Sequence, residues 1–167
     1  MEFRKAAGSD AARIMDIIRQ AQDYLKNRGI NQWQNNYPNI DTVINDIRAN
    51  YGYVLENGGM VVGTVAAAFD GEKTYDTIYD GQWLSDGRYA VIHRIAVDPV
   101  FKGSGMAAEM VKFIEEMCIS RDVHSIRADT HRENAPMRRM LEKNGFQYCG
   151  VIYLADKNER IAYEKLI

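Results

Sequence analysis

The chain has 167 residues, a hydrophobic fraction of 46% and a formal net charge of -2. The length suits one domain with a real core, and the apolar fraction argues against bulk disorder. The charge gives no basis for non-specific nucleic-acid binding, and the longest apolar stretch, residues 60–69, is too short to cross a bilayer.

The opening Met1-Glu2-Phe3-Arg4-Lys5-Ala6-Ala7 has no signal-peptide apolar region, so a cytoplasmic location is expected. Residues 2–6 read as a short strand. Ser9 or Asp10 then caps a helix whose Ile14, Ile17, Ile18, Ala21 and Leu25 share one face, and Gly29 stops it. Residues 31–39 are polar, contain Trp33, Tyr37 and Pro38, and read as a loop. Asp41 caps a second helix carrying Val43, Ile44 and Ile47. Residues 53–55 and 60–69 are β-rich and flank Asn57-Gly58-Gly59, a hairpin signal. Residues 70–87 hold clustered acids and three glycines, and a loop of that length inside a domain is usually functional or mobile.

Residues 89–97 form another strand, ended by Asp98-Pro99. Residues 103–120 are a helix with Met106, Met110, Phe113, Ile114 and Met117 at helical spacing. A strand over 123–128 follows, then a helix over 134–144 that Gly145 terminates. Two closing strands, 146–154 and 160–166, are joined through Asp156-Lys157-Asn158. Strand, two helices, three strands, helix, strand, helix, two strands is a mixed α/β (α+β) order that fits a sheet with helices on its faces. Cys118 and Cys149 have no metal-ligand spacing to His93, His124 or His131, so both read as packing residues and no metal is expected.

Between the strand and the helix lies Lys102-Gly103-Ser104-Gly105. Glycines there let backbone N–H groups face an anion, the helix N-terminus adds about half a positive charge, and a pyrophosphate is a natural ligand. The same glycines also serve a plain tight turn. Gly103-Ser104-Gly105-Met106-Ala107-Ala108 also satisfies a dinucleotide fingerprint, with Asp129 ending the next strand, so an NAD-type oxidoreductase is an alternative. Against it, the four residues 98–101 separate the strand from the loop that carries the glycines, and the motif starts past mid-chain, leaving too little sequence after it for a second mononucleotide half.

Ile95-Ala96-Val97-Asp98-Pro99, then Lys102-Gly103-Ser104-Gly105-Met106-Ala107, then residues 134–146 ending in Lys143-Asn144-Gly145-Phe146, resemble the GNAT superfamily of acyl-CoA N-acetyltransferases, small bacterial members especially. Lys102 replaces the family's Arg or Gln, while Gly105 and Ala107 match; Asn134, Lys143, Gly145 and Phe146 match the later segment, where Met137 and Met140 replace Ala and Leu. The resemblance implies a central twisted, mostly antiparallel sheet of six to seven strands with a splayed parallel central pair and helices on both faces. It implies acetyl-CoA as co-substrate, with Ile95, Ala96 and Val97 pairing with the pantetheine arm. Lys102, Gly103, Ser104, Gly105, Met106 and Ala107 would hold the pyrophosphate. Asn134 would touch the coenzyme arm, and Arg138, Arg139 and Lys143 are candidates for its outer phosphate.

An amine attacking a thioester must lose a proton, and the oxyanion needs a fixed donor such as a backbone N–H near Val97. The family's usual thiolate-protonating tyrosine falls on Leu141 and its common strand glutamate on Val91; neither can serve. His93 is the first candidate base, since arylalkylamine N-acetyltransferases resemble this chain in having histidine there. Asp129 is second, since ribosomal-protein N-terminal acetyltransferases resemble this chain in placing an acid there. His131 is third. Tyr148 and Tyr153 are the candidate acids. Tyr75, Tyr79 and Trp83, interleaved with Asp70, Glu72, Asp76, Asp80 and Asp86 in 70–87, and Trp33 and Tyr37 in the first loop suit a cationic amine, small or peptidic. A homodimer is left open, no nucleic-acid or membrane partner is expected, and a non-catalytic acyl-CoA-binding regulatory domain stands as a further alternative.

Overall fold

A computed structural model describes residues 1–167. The strands β1 (Glu2–Lys5), β2 (Gly52–Asn57), β3 (Met60–Ala68), β4 (Ala90–Val97), β5 (Ser125–Thr130), β6 (Gln147–Tyr153) and β7 (Glu159–Leu166) follow the sheet order β1-β2-β3-β4-β5-β7-β6. The helices are α1 (Ala11–Asn27), α2 (Ile40–Arg48), α3 (Met106–Ser120) and α4 (Ala135–Lys143). β4 and β5 are parallel, while β1–β2, β2–β3, β5–β7 and β6–β7 are antiparallel. The parallel register ends at Ile92↔Ala128, although β4 runs on to Val97. This mixed sheet is not the open parallel sheet of a dinucleotide-binding fold, and a short 3₁₀ turn, Pro99–Phe101, stands between β4 and the glycines; the NAD-type alternative is overturned.

The chain divides into two compact units. The first comprises Met1–Ala67 and Arg94–Phe113. Strand alternation sets its layers. Val54 packs with Ile14, Ile17 and Ile18 of α1 and Val43 of α2, whereas the adjacent Tyr53 stacks on Phe3, which stacks on Phe113 of α3. Helices thus cover both faces of this unit's strands. Gly63 lets α3 approach: a Cβ there would lie 3.0 Å from Met110 Cε. The β2–β3 hairpin turns on Gly58 and Gly59, whose φ values of +59° and +79° suit the mirror-image turn that matches strand twist.

Two helix caps differ from the sequence expectation. Asn39, not Asp41, caps α2: its Oδ1 accepts from Thr42 N–H at 3.1 Å, and Thr42 Oγ1 accepts from Asn39 N–H at 3.3 Å. Asp41 sits in the first turn, where its charge complements the helix dipole. Asp10 precedes α1 without capping it; its carboxylate accepts from Ala7 N–H at 2.7 Å and pairs with Arg4 at 2.8 Å.

The second unit comprises Ala68–His93 and Ile114–Ile167. Residues 70–87 are packed onto it. Tyr75 is fully buried among Val91, Ile152 and Ala162, with Ile78, Trp83 and Tyr89 against them. Glu164 accepts from Leu84 N–H, Ser85 Oγ and Ser125 Oγ, each at 2.5 Å, and the Arg127 guanidinium lies over the rings of Trp83 and Tyr89 at 4.2 and 4.0 Å. Tyr79 bridges Val151 of β6 through two backbone bonds of 2.8 Å. Gly81 makes that approach possible, since a Cβ there would lie 1.9 Å from the Cys149 carbonyl oxygen. Both cysteines are buried and free, as packing residues should be.

Candidate active site

In the first unit, Gly103 and Gly105 hold φ values of +79° and +85°, which L side chains rarely adopt. A Cβ on either would meet nothing within 4 Å, so their glycines serve backbone conformation and leave open space above. Ser104 N–H and Oγ are both turned onto the Phe101 carbonyl, which fixes the turn. The bond from Glu109 N–H to Gly105 O, 3.0 Å, opens the helical ladder. The amides of Met106, Ala107 and Ala108 precede it and are the orphan donors at the positive end of α3. An anion of pyrophosphate type fits this loop. Lys102 Nζ sits 3.8 Å above the Tyr24 ring, whose other cationic neighbour is Arg28 at 4.4 Å.

The end of β4 is held at both sides of the three pantetheine candidates. Asp98, after Val97, donates its N–H to Val62 O at 2.9 Å and pairs with Arg13 at 2.5 Å. Arg94, before Ile95, has a φ of +51° within the strand. Its guanidinium meets Asp46 in two bonds, 2.7 and 2.6 Å, and donates to the Tyr37 hydroxyl at 3.0 Å. A non-glycine residue in the left-handed region inside a strand costs energy that its surroundings must offset, and such strain gathers at functional positions. Trp33, at φ +60°, packs on the first unit's core and lines a cavity of about 350 Å³ with Gln22, Asp23, Asn35 and Asn36; Tyr37 is half exposed.

In the second unit, His93 Nε2 lies 3.2 Å from Glu72 Oε2. Glu72 Oε1 accepts from Thr74 N–H and Oγ at 3.2 and 2.9 Å. The hydrogen bond from His93, reinforced by those from Thr74 against the cost of burial, pushes the Glu72 carboxyl down to about 2. Asp129 accepts from the Tyr75 hydroxyl at 2.6 Å. Burial pushes its carboxyl up, opposed by that hydrogen bond and by His93 and Arg160. A carboxylate raised this way is a better proton acceptor than an exposed one. His131 Nδ1 faces the N–H of Glu133 at 3.1 Å, and burial lowers its proton affinity.

The remaining candidates in this unit have other partners. Asn134 is buried and caps α4, its Oδ1 accepting from Met137 N–H at 3.3 Å. Arg138 reaches the Tyr163 hydroxyl and the Arg132 carbonyl, whereas Arg139 and Lys143 are exposed. Tyr148 is half exposed, edge-on to Tyr163 at 6.1 Å. Tyr79 and Tyr153 are exposed and edge-on to each other at 5.3 Å. Trp83 is engaged internally, its indole N–H on the Tyr75 carbonyl at 2.9 Å and one face under Arg127. Leu141 and Val91 are fully buried.

Sequence reasoning missed Glu72, counted only among the loop acids, and it missed Tyr75 as the partner of Asp129. It also missed the turn at Arg94, for which arginine carries no local signal.

The model of the acetyltransferase (GNAT) family matches residues 18–146. A GNAT-family acetyltransferase from Streptococcus agalactiae is 35% identical, with 99% of this chain and 95% of that one covered and a TM-score of 0.89. The S-(2-succino)cysteine N-acetyltransferase of Bacillus subtilis is 25% identical over 153 residues, covering 89% of this chain and 85% of the relative. At 15% identity and a TM-score of 0.67, the ribosomal-protein-S18-alanine N-acetyltransferase of Escherichia coli shares the fold, over 99% of this chain and 93% of its own. This chain belongs to the GNAT family of acetyltransferases.

Proposed function

We propose that residues 1–167 act as one N-acetyltransferase domain that moves the acetyl group of acetyl-CoA directly to a primary amine, small or peptidic and cationic. The observation that carries the reading is β4 itself. It bears His93, paired with a carboxylate, two residues before Ile95-Ala96-Val97 and a short turn before the glycine loop. In the reaction the neutral amine nitrogen attacks the thioester carbonyl carbon, and a backbone N–H near Val97 donates to the oxyanion. The C–S bond then breaks, the amine proton passes to His93, and the CoA thiolate takes up a proton. Asp129 is the second candidate base, and Tyr148 the candidate acid for the thiolate. Ile95, Ala96 and Val97 hold the pantetheine arm, Lys102 to Ala107 the pyrophosphate, and Asn134, Arg138 and Lys143 the rest of the coenzyme. Trp33, Tyr37, Tyr79 and Trp83 are the acceptor candidates, of which Tyr37 and Tyr79 expose most ring surface. No helix is long and apolar enough to cross a membrane, and the reading places the enzyme in the cytoplasm without nucleic-acid or membrane partners, a homodimer being compatible with it.

The test is release of CoA thiol from acetyl-CoA across an amine panel. It includes polyamines, peptide N-termini and S-(2-succino)cysteine, the acceptor named for the Bacillus subtilis relative. His93→Ala is expected to cut turnover about 10²–10⁴-fold while acetyl-CoA affinity stays near wild type. Acetyl-CoA binding without thiol release from any amine would leave the non-catalytic regulatory reading instead. Wild-type rates in both His93→Ala and Asp129→Asn would remove the protein base.

A further inference from the structure

We infer that Glu72 is the positioning residue of His93, holding the ring with Nε2 protonated so that Nδ1 is the atom that accepts the amine proton. The inference rests on His93 being the base. Its geometric ground is that Glu72 Oε2 meets Nε2 at 3.2 Å while Oε1 is committed to Thr74 N–H and Oγ. The backbone holds Glu72 as well, through its N–H on the Tyr89 hydroxyl at 3.2 Å. A carboxylate pinned at one oxygen and open at the other can accept only from a ring nitrogen that carries hydrogen. The neutral imidazole has one such nitrogen, so the bond selects the tautomer. The lone pair is left on Nδ1. Both side chains are largely sheltered, at 22% and 26% exposure, which strengthens the interaction relative to a surface pair.

The proton balance is simple. The ammonium of the forming amide gives its proton to Nδ1 and the ring becomes imidazolium, with Glu72 as counter-charge. The ring then returns the proton to solvent or to the departing thiolate. Glu72 stays ionised throughout, since it is held far below the pH of the reaction. The other groups acting on this cluster are Asp129 of β5 with its partner Tyr75, Tyr89 beside Glu72, and Arg160 of β7 acting on Asp129. Asp129 reinforces the imidazolium, and Arg160 tempers Asp129.

Glu72→Gln keeps an acceptor oxygen for Nε2 but removes the charge, and should lower kcat by less than about tenfold. Glu72→Ala removes both and should lower kcat by about 10–100-fold, with KM for acetyl-CoA unchanged. Two-bond proton–nitrogen correlation spectra of histidine-labelled wild-type protein, recorded with the rings neutral, give a readout independent of turnover. Nε2 should carry the hydrogen in the wild type, and Glu72→Ala should show mixed tautomers. A merely structural residue would lower the melting temperature without changing the tautomer. A protonated Nδ1 in the wild type overturns the inference. So does a Glu72→Ala variant that keeps the wild-type tautomer, or a Glu72→Gln variant that raises only the KM of the amine. If His93→Ala turns over at the wild-type rate, the base assignment fails first and the role of Glu72 falls with it.

Discussion

Substitution of Gly105 separates backbone conformation from charge in the phosphate loop. With φ at +85° and nothing within 4 Å of an added Cβ, Gly105→Ala suffers strain but no clash. The strain is about 1–2 kcal/mol, or about 3–6 °C in melting temperature for a chain of this size. Gly105→Glu bears the same strain and adds a negative charge beside the proposed pyrophosphate. One phosphate charge at about 5 Å, with an effective dielectric constant near 20, repels it by about 3 kcal/mol, roughly two hundredfold in Kd. Solvent at this exposed loop reduces that, so a loss of tenfold or more is expected. Titration calorimetry with acetyl-CoA, paired with a melting curve for each variant, measures both parts. The alanine variant should melt lower yet keep most of its affinity, while the glutamate variant should melt similarly and bind weakly. A folded glutamate variant with wild-type affinity refutes the placement of phosphate on this loop. An alanine variant as weak as the glutamate variant refutes charge as the cause.

Leu141 is fully buried, so Leu141→Tyr, which the family pattern would suggest as restoring an acid, should instead overpack the interior. A loss of about 1–3 kcal/mol in denaturant unfolding is expected, without a gain in turnover; unchanged stability with faster thiol release would place that side chain in the site. Asp46→Ala leaves the largely buried Arg94 guanidinium without its carboxylate partner at a strained backbone position. It should cost about 3 kcal/mol of stability, and Arg94→Gly, which relieves the φ of +51°, should cost less than Arg94→Ala; equal losses for the glycine and alanine variants would show that the backbone there is not strained.

The elements of this fold announce themselves locally. Apolar residues at helical spacing marked α1 and α3, Asn57-Gly58-Gly59 marked the hairpin, and Gly145 marked the end of α4, because each signal lies within a few residues of the structure it causes. The glycine loop was legible for the same reason. Glu72 and His93 stand 21 residues apart, Tyr75 and Asp129 54, and Asp46 and Arg94 48, and no periodicity links such pairs. The left-handed backbone at Arg94 was illegible because nothing in the neighbouring sequence marks it, and the carboxylate that its side chain meets, Asp46, is distant in the chain. Trp83 misled in the other direction: amid acids it resembles a ligand wall, yet its hydrogen bond and its cation both come from within its own unit. The caps failed by a narrower margin. Asn39 and Asp41 are both good cap residues, and the capping box with Thr42 decided for the former.

The bridge between Tyr79 and Val151 guards against unwanted assembly. β6 ends the strand order, so its outer rim offers unpaired N–H and carbonyl groups to any other extended chain. The two 2.8 Å bonds from Tyr79 occupy part of that rim, and the missing side chains at Gly81 and Gly150 let the guarding segment lie flat against it. Residues 70–87 thus screen an adhesive border as well as presenting Glu72. Their tolerance to change should be uneven, with the exposed Asp76 and Asp86 freely replaceable. Any side chain at Gly81 would lift the segment and expose β6, so that protein lost at this position would be lost to aggregation before it was lost to catalysis.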